Sequence, residues 1–414
     1  MTTIIGPAAG HATLQGTAGD DLITAAGAGN TIYGNGGSDT ISAGRYGGAE
    51  VFAGNLDDAA FGLASTIRLN GTGNVLHGGD ADFTVTGWSG GTTLELGNGD
   101  NQISLGGSGN QVTVGLGANQ IVAGAGGASV LVSGLDLFGS AGYAVATTVQ
   151  FSGLGNSFSN QASGGRYPLS AQITLTGGSG DGHFDLGWGN GTLRTGGLHN
   201  EITTGYGTYD IAPGSGYDTV HVGGIYGIGS DVTIRLAGTG NRVDGIASHA
   251  AVSGGAGNAA LDFQMTDYGG TLYDIHLGGR GNHIVAPGGM AGSVIDAGSG
   301  GADVTFSGLG DITLRGSGNT VHLDAANATL HDLSTGLVVG TTQYADATIL
   351  GFGAARGAVV EIAADPEGID SLAEVMAALR DDGAGNAVLT LAGGTMTFAG
   401  LHAAALHDYN FRIV

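Results

Sequence analysis

The sequence predicts an all-β fold: a parallel β-solenoid, or β-roll, with about 18 residues per coil, followed by a small α+β cap at the C-terminus. Two observations predict this fold. Apolar anchor residues recur every nine positions between glycine-rich turns, and glycine dominates the composition, with 87 Gly in 414 residues. Because glycine adopts positive φ without a steric cost, such turns reverse the chain tightly.

The nine-residue period is clearest in residues 16–44. There Ile23, Ile32 and Ile41 are nine positions apart, and an Asp or Asn stands two positions before each of them. One apolar side chain in nine residues cannot fill a core alone. Two facing strands that each contribute one side chain can fill a thin core, so two nonapeptides make one coil of about 18 residues.

The period returns along much of the chain. Its later anchors are Ile103, Val112 and Ile121, then Phe184, Leu193, Ile202, Ile211 and Val220, and finally Ile312, Val321 and Leu330. We therefore assign residues 1–344 to a β-solenoid of glycine-rich nonapeptide repeats. The register is lost near 45–69 and near 135–172, which predicts insertions in those two zones.

A different pattern begins at residue 345, and we assign residues 345–414 to a separate α+β cap. ADATILGFGAARGAVVEI (345–362) predicts two strands paired around a turn. Apolar residues at helical spacing predict a helix within 369–382. AVLTLAGGTMTFAG (387–400) predicts a hairpin across its Gly-Gly turn.

Charge and composition exclude several classes of function. The net charge is −24 and all eleven basic residues are Arg. Nucleic acids and anionic membrane surfaces need a basic face, so neither is an expected partner. The chain contains no cysteine, which excludes disulfides and thiolate metal sites. It also contains no apolar run long enough for a membrane-spanning helix and no N-terminal signal peptide pattern.

Two stretches resemble the RTX family of bacterial proteins. GTAGDDLIT (16–24) and GNGGSDTIS (34–42) are similar to its G-G-x-G-x-D-x-U-x nonapeptide, in which U is apolar. The tail, residues 345–414, resembles the C-terminal module of RTX-type proteins exported by type I secretion. The resemblance implies a Gram-negative bacterium, an uncleaved C-terminal export signal, the type I secretion machinery as a partner, and a secreted or cell-surface location.

The resemblance also implies calcium between stacked turns. Asp21 and Asp39 are eighteen residues apart, so they are expected to stack on one side of the coil and to hold one ion with turn carbonyls, with Asp20 as a helper. Most later repeats carry Asn or another residue without a carboxylate at this position, so we expect few calcium sites. Asn101 and Asn119 are instead expected to hydrogen-bond to each other as a ladder without metal.

No motif predicts a catalytic site, and the sequence favours a protein that is not an enzyme. No H-E-x-x-H motif is present. The G-x-S-x-G motif around Ser89 lies between two strand-like segments, whereas a nucleophile elbow needs a strand-to-helix turn. Asp181 and Asp185 form a carboxylate pair, but their spacing alone does not identify them as catalytic residues.

A flat column of threonines, as an ice-binding surface would need, is not apparent in the sequence. The positions before successive anchors are occupied by His183, Thr192, Glu201, Asp210 and Thr219.

These observations predict a secreted extracellular structural protein that assembles with itself, with calcium, into a surface layer, filament or matrix. A solenoid leaves open strand edges, which pair readily with other strands. The alternatives left open are a secreted calcium-dependent adhesin or binding module, for which a cell-surface polysaccharide is a possible ligand, and a carbohydrate-active β-helix enzyme.

Overall fold

A computed structural model describes residues 1–54, 63–133, 135–136, 146–161, 163–164, 171–224, 228–267, 269–353, 356–365 and 368–414. The chain divides into two compact units, Met1–Asp210 and Ile211–Val414. Each unit is a parallel β-solenoid, which confirms the predicted fold class. Among the described residues, no helix is both long enough and apolar enough to cross a membrane.

The first unit consists almost entirely of short strands joined by glycine-rich turns. In chain order they are β1 (Thr2–Ile5), β2 (Thr13–Gln15), β3 (Asp21–Thr24), β4 (Thr31–Tyr33), β5 (Thr40–Ala43), β6 (Glu50–Ala53), β7 (Ala64–Leu69), β8 (Val75–Gly78), β9 (Asp82–Gly87), β10 (Thr93–Glu95), β11 (Gln102–Leu105), β12 (Gln111–Val114), β13 (Ala118–Val122), β14 (Ser129–Val132), β15 (Leu135–Asp136), β16 (Ala146–Phe151), β17 (Ser157–Asn160), β18 (Ser163–Gly164), β19 (Ala171–Gly177), β20 (His183–Asp185), β21 (Gly189–Thr195) and β22 (Glu201–Thr203), with β23 (Gly207–Ala212) at its end.

These strands form two parallel sheets that enclose a thin core. Face A is the sheet of β1, β3, β5, β7, β9, β11, β13, β16, β19 and β21. Face B is the sheet of β2, β4, β6, β8, β10, β12, β14, β17, β20 and β22. Strands β15 and β18 pair separately. Consecutive nonapeptides therefore lie on opposite faces.

The register follows the anchors. Ile23 lies opposite Ile41 on face A, and Leu14 lies opposite Ile32 on face B, each pair being eighteen residues apart. Anchors Ile23, Ile32 and Ile41 are fully buried.

The later anchors are also buried. The expectation of one inward apolar side chain per nonapeptide is too low for several repeats, because Leu105 and Val114, two positions after the anchors Ile103 and Val112, are buried as well.

The coils lengthen where the nine-residue spacing is lost. Thr40 lies opposite Thr66, Gln120 opposite Thr148, and Thr148 opposite Thr174, so these coils hold more than the usual eighteen residues. The strands on both sides of each longer coil keep their parallel pairing. Parts of both zones lie outside the described residues.

The second unit is also built from parallel strands, several of which are longer than those of the first unit. They are β24 (Thr219–Val222), β25 (Ser230–Leu236), β26 (Arg242–Gly245), β27 (Ala247–Gly254), β28 (Ala260–Phe263), β29 (Leu272–Leu277), β30 (His283–Asp296), β31 (Asp303–Ser317), β32 (Thr320–Thr335), β33 (Val338–Thr341), β34 (Asp346–Leu350), β35 (Val359–Ile362), β36 (Leu379–Asp381), β37 (Ala387–Thr390), β38 (Thr395–Ala399) and β39 (Phe411–Ile413). Strands β30, β31 and β32 are long enough to contribute to both faces of this unit.

The prediction that two strands in residues 345–362 pair with each other is wrong. Both strands form, as β34 and β35, but they do not pair with each other. β34 pairs in parallel with β32 and β38, and β35 pairs in parallel with β33 and β39. The reason is that each strand stacks in parallel on a preceding strand, which buries Ile349 and Val360 in the core.

The rest of the C-terminal segment contains the predicted helix and hairpin. Helix α1 spans Leu372–Ala378 and begins with a capping box, in which Ser371 and Glu374 bond to each other's main-chain N–H groups. The hairpin is confirmed, with β37 antiparallel to β38, and β36 adds to its outer side. The helix is shorter than the apolar spacing predicts because Leu379 leaves helical geometry and begins β36.

Candidate metal site

The first two coils bring the predicted metal-site residues Asp21 and Asp39 together. Asp21 begins β3 and Asp39 directly precedes β5, and both side chains are buried. The main-chain N–H of Asp21 donates to Oδ1 of Asp39 across 2.9 Å. The predicted stacking of the two residues on one side of the coil is therefore observed, and Asn30 directly precedes β4 on face B.

Asp21 already has hydrogen-bond partners for both carboxylate oxygens. Its Oδ1 accepts from the N–H of Thr2 at 3.1 Å, and its Oδ2 accepts from the N–H of Thr17 at 2.5 Å and from the Thr17 hydroxyl at 3.0 Å. The main-chain donor of Thr17 is the largest cause that holds the pKa of Asp21 below its usual value. Asp21 is thus an ionised carboxylate that is satisfied by the protein itself.

Asp39 differs from Asp21 in one oxygen. Its Oδ1 accepts from Asp21, but its buried Oδ2 has no hydrogen-bond partner among the described residues. Burial raises the pKa of Asp39 to about 6, and the negative charges of Asp21 and Asp20 add to this effect. A buried carboxylate oxygen without a donor favours either a proton or a cation.

The third predicted residue, Asp20, lies beside this pair. Its Oδ1 accepts from the N–H of Ser38 at 2.8 Å, and its side chain is exposed. Among the described residues, no group of three or more Asp, Glu, His or Cys side chains is arranged to hold a metal. Calcium takes six to eight oxygens, so an ion at Asp39 needs main-chain carbonyls and water as further ligands.

The Asn residues at equivalent positions satisfy their turns without a cation. Oδ1 of Asn110 accepts from the N–H of Thr92 at 3.1 Å, and its Nδ2 donates to the carbonyls of Gly106 and Ala123, each at 3.1 Å. The amide thereby occupies turn carbonyls that would otherwise be available as cation ligands. The same pairing of one accepted and one donated bond occurs at Asn30 and Asn74.

The predicted hydrogen bond between Asn101 and Asn119 is observed. Nδ2 of Asn101 donates to Oδ1 of Asn119 across 2.8 Å, one coil further on, and both side chains are buried. These amides bond to each other along the stacking direction, as the sequence predicts. The structure therefore distinguishes the Asn positions, which are saturated, from Asp39, which is not.

Face B carries a cluster of charged and aromatic residues that the sequence pattern did not reveal. The rings of Tyr33, Phe52 and His77 stack on successive coils with centroids 4.9 Å apart. His77 also lies between Glu50, at 3.6 Å, and Glu95, at 2.9 Å. Tyr33 and Phe52 are 19 residues apart and Phe52 and His77 are 25 residues apart, so a nine-residue alignment does not reveal the cluster.

The outer edge of the first coil is open within the part of the chain that the structure describes. Strand β1 pairs only with β3, and β2 pairs only with β4. Residues 1–19 contain no Asp, Glu, Lys or Arg, and Ile5 is 76% exposed. This edge therefore lacks the charges that usually protect an exposed strand from pairing.

The G-x-S-x-G motif does not have the geometry of a nucleophile elbow. Ser89 lies in the turn between β9 and β10, so a strand follows it rather than a helix.

Comparisons with known proteins identify no relative of this chain. No family model matches it, and neither a curated protein nor a solved structure does so. Its function must therefore be inferred from its own residues.

Proposed function

We propose that this chain is an extracellular structural protein whose copies assemble through the open edge of β1 and β2. The observation that carries the proposal is an edge with unpaired main-chain groups, no charged residue and an exposed Ile5. In a chain of net charge −24, this is a place where two copies can meet without repulsion between carboxylates.

The hydrogen bonds of β1 show which groups are available. The N–H groups of Thr2 and Gly6 donate to carbonyls of Asp20 and Thr24. Because N–H groups alternate in direction along a strand, those of Thr3 and Ile5 point to the open side. Two such edges related by a twofold axis form an antiparallel joint, and additional lateral contacts extend a dimer into a layer or filament.

Calcium has two roles in this proposal. One ion at Asp39 neutralises the unpartnered oxygen and fixes the first coils, which carry the open edge. Additional ions in solution screen the remaining carboxylates and so lower the repulsion between copies.

The proposed export by type I secretion from a Gram-negative cell rests on the resemblance of the C-terminal segment alone. Coexpression of the chain with a type I exporter tests this export, and protein retained inside the cells would contradict it.

Sedimentation velocity over a range of protein concentrations, with and without calcium, tests the assembly. Thr3→Pro removes an outward N–H while the bonds of Thr2 and Gly6 remain, and Ile5→Lys places a charge on the edge. Both variants should remain monomeric where the parent chain associates. Leu154→Lys is the matched control, since Leu154 is 57% exposed and lies in a turn away from the edge. A parent chain that stays monomeric at millimolar calcium, or equal loss in the control, would contradict the proposal.

A further inference from the structure

Face A presents two parallel columns of outward side chains on β9, β11, β13 and β16. The first column contains Thr84, Gln102, Gln120 and Thr148, which lie opposite one another on successive strands. The second column contains Thr86, Ser104, Val122 and Gln150, related in the same way. Strand pairing thus aligns side chains that come from four different coils.

A groove of about 440 Å³ lies between these columns. Its lining includes all eight side chains together with Val85, Ile103 and Ile121, whose own side chains point into the core. Positions i and i+2 of a strand are about 7 Å apart, and neighbouring strands are about 4.8 Å apart. The groove is therefore a straight channel that crosses four strands over about 14 Å. Its volume is within the range of ligand sites in proteins, roughly 300–1,000 Å³.

The chemistry of the channel is neutral and rich in hydrogen-bonding groups. None of its lining residues is charged, although the chain has a net charge of −24. The amides of Gln102, Gln120 and Gln150 and the neighbouring hydroxyls make no hydrogen bond to another described residue. Amides and hydroxyls both donate and accept, as sugar hydroxyls do.

The residues beside the channel disfavour an anionic ligand. Asp82 and Asp100 lie two positions before Thr84 and Gln102, and the Oδ1 atom of each accepts a main-chain N–H from the next coil. A carboxylate with a remaining free oxygen accepts from a hydroxyl and repels another carboxylate. A neutral polyhydroxylated chain is therefore favoured over an acidic polysaccharide.

Two other occupants fit this channel less well. A second copy of the chain would cover on the order of 100–200 Å² here, far below the roughly 800 Å² per partner of a stable interface. An ice surface needs a flat array, whereas Gln102 and Gln120 extend well beyond Thr84 and Thr148 in the same column. A ridge of longer side chains beside a channel suits a chain lodged between the columns.

We propose that this channel binds an extended, neutral, β-1,4-linked polysaccharide that lies across β9, β11, β13 and β16. A β-1,4-linked chain is straight and its sugar-to-sugar step is close to the coil spacing, so each sugar lies over about one strand and meets at least one amide or hydroxyl there. An α-1,4-linked chain coils and cannot follow a straight channel. This site is separate from the open edge of β1 and β2, and it does not depend on assembly.

Isothermal titration calorimetry of the full chain with cellohexaose tests the proposal. Maltohexaose serves as the curved comparison, and hexamannuronate, which is β-1,4-linked, serves as the anionic comparison. We expect saturable binding of cellohexaose and at least tenfold weaker binding of the other two. The double variant Gln102→Ala/Gln120→Ala should weaken cellohexaose binding about tenfold or more, since it removes two donor and acceptor groups.

Gln111→Ala is the matched control, because Gln111 is an exposed glutamine at the start of β12 on face B, in the same coils. It should bind cellohexaose like the parent chain. Circular dichroism spectra and melting curves establish that the variants fold, and Thr148→Ala provides a single milder change if the double variant does not. Absence of cellohexaose binding at millimolar concentration, equal binding of all three sugars, or equal loss in Gln111→Ala would overturn the proposal.

Discussion

Asp39 accepts the main-chain N–H of Asp21 through one carboxylate oxygen and leaves its second oxygen buried without a hydrogen-bond donor. In the same pair, Asp21 has donors for both of its oxygens. Asp21 and Asp39 occupy the same place in the repeat, but only Asp39 lacks a hydrogen-bond donor for one carboxylate oxygen. We therefore expect the same substitution to have different effects at the two positions.

The first prediction concerns Asp39→Asn in the presence of a chelator. An amide keeps Oδ1 as the acceptor for Asp21 and replaces the unpartnered oxygen with a donor, as at Asn110. We expect this variant to be more stable than the parent chain by about 1–2 kcal/mol in urea unfolding. Calcium should stabilise the parent chain but not the variant.

Asp21→Asn is the matched comparison and should have the opposite sign. Its new NH₂ group would face the N–H of Thr17, which donates to Oδ2 in the parent chain. We expect this variant to be less stable than the parent chain at neutral pH. Equal effects of the two substitutions would contradict the distinction between the two carboxylates.

The second prediction concerns pH. The pKa of Asp39 is raised from 3.8 to about 6 in the folded chain, so the folded state binds more protons than the unfolded state between these values. Its contribution to stability is therefore fully present below the unfolded pKa and is lost as pH rises through about 6.

Hydrogen exchange of residues 16–44 between pH 4.5 and 7 without calcium, corrected for the intrinsic rate, measures this effect. The first coils should open more readily at the upper end, and Asp39→Asn should remove this dependence. Asp21, whose pKa is lowered, stays ionised throughout this range and does not contribute. A pH dependence that persists in Asp39→Asn would assign it to another group.

Much of the fold could be predicted from the sequence because the spacing of the apolar anchors determines the coil. Ile23 and Ile41 are eighteen residues apart, identical and fully buried, so their spacing specifies both the coil length and the parallel register. The partners of β34 and β35 could not be predicted in this way. Local turn signals predict a hairpin, whereas Asp346 pairs 19 residues back with Asn327 and Val359 pairs 21 residues back with Val338, offsets that the nine-residue anchors do not mark in this segment.

The threonines on face A show the same limit of a nine-residue alignment. They correct the expectation that the chain has no column of threonines. Residues before consecutive anchors alternate between the two faces, so a nine-residue reading mixes two columns. The pairing instead aligns Thr40, Thr66 and Thr84 on face A, and Thr148, Thr174 and Thr192 further along it. The column interrupted by Gln102 and Gln120 becomes visible only when the insertions are counted within their coils.

The last prediction tests whether the Asn amides replace a cation. Asn110→Asp keeps the acceptor for Thr92 but turns a carboxylate oxygen toward the carbonyls of Gly106 and Ala123. We expect a loss of about 2–4 kcal/mol in urea unfolding at neutral pH with chelator, because the donor is lost and a charge is buried. Calcium should recover part of this loss, since the new carboxylate and the released carbonyls are oxygen ligands.

Asn190→Asp, at an exposed position of β21, is the control and should change stability by less than about 0.5 kcal/mol. If Asn110→Asp were as stable as the parent chain in chelator, the amide bonds to the turn carbonyls would not be what holds these coils together.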